Sequence, residues 1–134
     1  MKSVKPDTPR TVRDTITLPP EPRSAGDARH FVADTVRDVL PDALTEVAVL
    51  LTSELVTNVI VHARTPMRLS VDVEPAALRV AIADDVPRTP VQRKVDGGSP
   101  RLTGRGMHLV ESLATHWGVE PSPHGKTVWF ELSA

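Results

Sequence analysis

The chain has 134 residues, 40% of them hydrophobic and 25% charged, with a formal net charge of -1. This is enough for one domain with a real core and not enough for two. Both signs of charge are scattered along the chain, so no basic stripe argues for nucleic acid and no acidic tail for a basic partner. The absence of cysteine excludes disulfides and thiolate metal sites. No uninterrupted apolar run approaches the roughly 18 residues of a membrane span. The opening "MKSVKPDTPR" lacks the apolar centre of a signal peptide. The expectation is a cytoplasmic protein without a membrane or direct nucleic-acid partner.

In chain order, residues 1–10 read as a disordered tail, with the domain proper over 11–134. "TVRDTITL" (11–18) alternates weakly, as an edge strand does. From Ser24 to Leu40, apolar residues recur at helical spacing, and Pro41 stops that helix. Asp42 is placed to cap a second helix, running from about Ala43 to Ala63. "MRLSVDVE" (67–74) and "ALRVAIAD" (77–84) alternate cleanly and predict a β-hairpin turning at "PA". Residues 86–103 show no periodicity and hold three prolines and two glycines. A loop that long in a compact domain is usually functional. "GRGMHLVESLATHW" predicts a third helix with Met107, Val110, Leu113, Ala114 and Trp117 inward, and "GVEPSPHGKTVWFEL" a last hairpin. The order β-α-α-β-β-loop-α-β-β predicts a sheet covered by helices on one face.

Three features stand out against that scaffold. In "TSELVTNVIVHA" (52–63), Glu54, Asn58 and His62 follow one another at four-residue spacing. At 100° per residue they share a stripe about 80° wide with Val47 and Leu51, so a core face turns polar in its second half. Buried carboxylates and amides are costly unless satisfied. The stripe is therefore either a local hydrogen-bond network or the wall of a ligand pocket. Asp84 extends the apolar face of Leu78, Val80 and Ile82; it reads as a turn-initiating Asp or as an acceptor for a ligand amine. Gly104 and Gly106 open the third helix, whose free N–H groups and dipole suit phosphate. The pattern is not a dinucleotide fingerprint, since Leu109 replaces the third Gly, and "GK" at 125–126 leads into a strand and is no P-loop.

Taken together and in this order, these segments resemble the GHKL ATPase superfamily with its Bergerat fold, over roughly residues 12–133. The nearest likeness is to the histidine-kinase-like ATPases of the anti-sigma-factor serine/threonine kinase branch. "SELVTNVIVHA" resembles the family's N-box, "IADDVPRTP" its Asp box, "TGRGMHLVESLATHWG" its glycine box and "GKTVWFEL" its closing strand. The resemblance implies an α+β two-layer sandwich, with a mixed, mainly antiparallel sheet and about three helices on one face. It implies ATP and Mg²⁺ as cofactors. By position, Glu54 would be the general base toward an attacking hydroxyl, and Asn58 would coordinate a Mg²⁺ bridging the phosphates. Asp84 would hold the adenine amine. Gly104, Arg105 and Gly106 would meet the phosphates, and Thr127 would sit near the adenine. His62 matches an N-box position and is assigned a structural role.

The resemblance further implies a regulatory kinase that phosphorylates a STAS-type anti-anti-sigma factor and sequesters a sigma factor. A homodimer is common among such relatives. The alternative is an ATP-binding partner switch without phosphotransfer. Glu54 and Asn58 favour the first; the second rests on departures from the family pattern, Val86 near the adenine Asp and Leu102 and Thr103 before the glycine box. A detached histidine-kinase catalytic domain would need a dimerisation helix pair, for which 134 residues leave no room.

Overall fold

The computed structural model describes residues 12–75, 77–86 and 104–133. Strand β1 (Val12–Leu18) is followed by helices α1 (Arg23–Val36) and α2 (Asp42–Asn58), and α2 runs on into a π-helical turn (Val59–Ala63). Strands β2 (Met67–Glu74) and β3 (Ala77–Asp84), helix α3 (Gly104–Leu113) and strands β4 (His116–Ser122) and β5 (Gly125–Ser133) complete the order. The five strands form one sheet in the order β1-β2-β3-β5-β4. The expected α+β sandwich is present. Among the described strands every ladder is antiparallel, so the sheet has no parallel pair of the kind a mixed sheet would show. The expected tail at 1–10 lies outside the described residues.

Alternation along the strands decides which face the helices cover. Met67, Leu69, Val71 and Val73 on β2, Leu78, Val80 and Ile82 on β3, and Val128, Phe130 and Leu132 on β5 are all buried. Their odd-numbered or even-numbered neighbours are not, as period-two geometry requires. On that apolar face α1 lies against β1 and β2, α2 against β3 and β5, and α3 against α2 and β4. Each fully buried aliphatic side chain in this layer contributes about 1.5–3 kcal/mol. The stretch Asp42–Ala63 is long and apolar enough to cross a membrane by length and composition. It packs instead as the central helix of the domain, through Ala48, Leu51, Leu55, Val56 and Val59.

The opposite face of the sheet is polar, and one row of it crosses all five strands. Arg13 on β1 pairs in register with Asp72 on β2, Asp72 with Arg79 on β3, Arg79 with Glu131 on β5, and Glu131 with His116 on β4. Arg13 and Arg79 bond Asp72 and Glu131 respectively. The hydrogen bond and the charge of Asp72 raise the Arg13 pKa above its ordinary value. Arg79 also stacks 4.1 Å from the centre of the Trp129 ring.

Three boundaries differ from the sequence expectation. Helix α1 ends at Val36, not Leu40, because the chain turns through Asp38 at φ 68°, a left-handed conformation that Asp tolerates. Pro41, not Asp42, is the N-cap of α2; Asp42 is its first residue, where its charge complements the helix dipole. Helix α3 stops at Leu113, and Trp117 belongs to β4 instead of a helical face. The Ala114 N–H still reaches the Val110 carbonyl at 2.9 Å, but the Thr115 N–H already donates to Glu131 on β5 at 2.8 Å. Sheet pairing thus overrides a helical spacing that Trp117 would have continued.

Candidate functional site

The site is assembled at the end of the sheet where β2 begins, β3 ends and β5 begins. Arg68 pairs with Ala83, and Asp84 stands directly opposite Lys126. Only residues 64–66 separate the π-helical turn from β2, so the chain brings the C-terminal end of α2, with Asn58, to this same edge. The Thr65 hydroxyl accepts a hydrogen bond from the Asp85 N–H at 3.1 Å, and Arg68 bonds the Asp85 carboxylate at 3.3 Å. These contacts tie the segment after α2 to the segment after β3.

Glu54 and Asn58 both lie within the α-helical part of α2, one turn apart on one side. Glu54 is half-buried and Asn58 is buried. The buried face of α2 is centred on Ala48, Leu51, Leu55, Val56 and Val59. At 100° per residue, the Glu54–Asn58 stripe therefore borders that face and does not continue along its centre. Of the predicted stripe, Leu51 and Asn58 are buried, Val47 and Glu54 are half-buried and His62 is exposed, so the polar half does begin in the core and runs out along its border. Beyond Asn58 the helix widens. The Arg64 N–H closes on the Val59 carbonyl at 2.7 Å, five residues back, and Arg64 itself is left-handed at φ 58° and ψ 34°. A π turn of this kind rotates the next side chains out of α phase. His62 is exposed, whereas Asn58 is buried.

Asp84 continues the core face of β3, as its alternation with Leu78, Val80 and Ile82 predicts, and it is 3% exposed. Its turn-initiating role is present in the geometry. Oδ1 accepts the Val86 N–H at 3.0 Å, which is the turn-initiating arrangement. Oδ2 accepts a hydrogen bond from the Lys126 ammonium, forming an ion pair whose side chains are 2% and 6% exposed. Lys126, which the sequence does not single out, is the residue that the fold sets against Asp84. Thr127, expected near the adenine, alternates onto the other face of β5, opposite Ala83. The close approach of β5 to Asp84 depends on Gly125: a Cβ there would fall 2.0 Å from the Asp84 carbonyl oxygen.

Gly104, Arg105 and Gly106 form the start of α3, as expected, and their side-chain surroundings lie outside the described residues. The helix packs along α2 and reaches the far end of the sheet, where the Ser133 N–H donates to the Thr115 hydroxyl at 3.1 Å. The loop residues Arg88, Arg93, Lys94, Leu102 and Thr103 also lie outside the described residues. A cleft lined by Arg13, Asp72, Glu74, Arg79 and Glu131 opens on the polar sheet face, toward the other end of β3 from Asp84, and is separate from this site.

The donor set also bears on a metal. No group of three His, Asp or Glu side chains among the described residues is arranged to hold an ion. Mg²⁺ seldom requires such a cage: it keeps several waters and is held by one or two protein oxygens together with substrate phosphates. A single buried amide at Asn58, one turn from the Glu54 carboxylate, fits that mode of binding.

No curated protein matches the chain. The family model for the histidine kinase-like ATPase domain matches residues 18–132, from the last residue of β1 to the penultimate residue of β5. That span takes in all three helices, the hairpin ending at Asp84 and the strand carrying Lys126, and the chain belongs to the histidine kinase-like ATPase domain family.

Proposed function

We propose that this ATPase-family domain is a regulatory protein serine/threonine kinase, using ATP and Mg²⁺ to phosphorylate a STAS-type anti-anti-sigma factor. The observation that carries the proposal is the pairing of Glu54 and Asn58 one turn apart on α2, whose C-terminal end leads through residues 64–66 into β2 at the end of the sheet where β3 finishes at Asp84. Phosphoryl transfer demands positioning, charge neutralisation and a group that orients the attacking hydroxyl. In this reading the Asn58 amide oxygen would help hold Mg²⁺, which would supply charge neutralisation for the phosphates. Glu54 orients or deprotonates the substrate hydroxyl, Asp84 accepts from the adenine amine, and the start of α3 at Gly104–Gly106 faces the phosphates.

A partner switch that binds ATP without transferring phosphate is the second reading. It rests on the departures from the family pattern at Val86, Leu102 and Thr103. Incubation with labelled ATP, Mg²⁺ and purified STAS-domain proteins separates the two. Label appearing on a serine or threonine of the partner supports the kinase. Partner capture that depends on ATP, with no label transferred, supports the switch.

A further inference from the structure

The pair formed by Asp84 and Lys126 presents an acceptor beside a donor, both buried, on the core face of two neighbouring strands. Asp84 keeps lone pairs beyond those used by the Val86 N–H and by Lys126, because an ionised carboxylate offers about four acceptor positions. Lys126 has three ammonium protons, and its hydrogen bond to Asp84 uses one. At 6% exposure the others have little access to water. The exocyclic amine of adenine is flanked on each side by a ring nitrogen that can only accept. An amine beside an acceptor nitrogen is the complement of a carboxylate beside an ammonium. A 6-oxo purine would turn its oxygen toward Asp84 and meet repulsion.

We propose that Lys126 is a specificity-determining residue of the nucleotide site: it donates to a ring nitrogen of adenine while Asp84 accepts from the 6-amine. The register supplies the geometry. Asp84 and Lys126 are directly opposed on β3 and β5, and Gly125 lets β5 approach the Asp84 carbonyl too closely for any other residue. The base is read by a donor–acceptor couple and not by a lone carboxylate. This rests on the ATP-binding reading of the same site.

The test combines base analogues with variants of Lys126. Affinities of the full-length protein are measured by calorimetry for ATP, 1-deaza-ATP, 7-deaza-ATP and ITP with Mg²⁺. In the wild type one deaza analogue binds about ten- to a hundredfold more weakly than ATP, as expected for loss of a hydrogen bond to a charged donor. In Lys126→Met that analogue and ATP bind alike, whereas Lys126→Arg, which keeps a donor, retains the discrimination. ITP is bound weakly by the wild type. Where Lys126→Met does not fold, the double variant Lys126→Met/Asp84→Asn removes both charges, and it too should bind ATP and the deaza analogue alike. Equal binding of ATP and both deaza analogues by the wild type overturns the proposal. So does tighter ATP binding by Lys126→Met, which would make Lys126 a competitor for Asp84. An absence of any ATP binding removes the functional reading and this inference together, whereas ATP binding without discrimination removes the inference alone.

Discussion

Asp84→Asn tests the buried pair in the folded domain without any nucleotide. The substitution keeps an oxygen for the Val86 N–H but can set an amide donor against the Lys126 ammonium. Because the two side chains are 2% and 6% exposed, water cannot take over the lost interaction. Removing one partner of a buried ion pair costs about 3–5 kcal/mol, since the other charge is left uncompensated. The whole domain is stabilised by only about 5–15 kcal/mol. For a chain of this size each kcal/mol moves the melting temperature by roughly 3–5 °C, so a fall of about 10–20 °C is expected. Lys126→Met in the same background removes the stranded ammonium and should recover most of the loss, to within about 2 kcal/mol of wild type. Urea denaturation followed by circular dichroism supplies the four corners of the cycle. A loss below about 1 kcal/mol in Asp84→Asn, or strict additivity of the two substitutions, would refute the reasoning, because independent sites add and a coupled pair does not.

Glu54→Gln keeps shape and removes the base: phosphate transfer to the partner should fall by about 10²–10⁴ while calorimetry finds ATP affinity within a few-fold. Transfer at the wild-type rate would exclude a base role, and a large drop in urea midpoint would mark Glu54 as a structural group instead. Gly125→Ala forces a Cβ to within 2.0 Å of the Asp84 carbonyl oxygen unless the backbone moves, so stability should fall by about 1–3 kcal/mol and the Asp84 region should exchange amide protons faster. An unchanged urea midpoint would show that β5 is not held so close. Arg79→Ala removes the stacking on Trp129 and an ion pair whose side chains are 39% and 32% exposed. Solvent screening limits the combined loss to about 1 kcal/mol, and added salt should shrink the ion-pair share of it.

The hairpin from Met67 to Asp84 was legible because its signal is local: alternation puts Leu78, Val80, Ile82 and Asp84 on one face whichever strand lies beside them. The same holds for Glu54 and Asn58, which share a helix side by spacing alone. What could not be read is non-local. Lys126 follows a glycine at the start of an alternating strand, and only the β3–β5 register reveals that it faces Asp84. Its parity with Val128, Phe130 and Leu132 was the available signal: a lysine in phase with a core face demands a buried counter-charge. The π turn was hidden for a different reason, since "VIVHA" has the composition of an ordinary helix end and the five-residue closure on Arg64 is a matter of winding. Trp117 shows pattern yielding to pairing, where an inward helical position lost to a place opposite Phe130.

The β3–β5 ladder carries an ion pair on each face, Asp84 with Lys126 toward the helices and Arg79 with Glu131 toward solvent. A slip of two residues would preserve the apolar face and so escape hydrophobic selection, but it would set Asp84 against His124 or Val128, and Arg79 against Trp129 or Ser133. Both pairs would be lost together, so the alignment is keyed from both sides. In the β1–β2 ladder a two-residue slip one way keeps a carboxylate, Glu74, opposite Arg13, and only the slip the other way, to Ser70, loses the pair. Misalignment of β3 and β5 in either direction is therefore penalised on both faces of the sheet, at the strand pair that builds the candidate site.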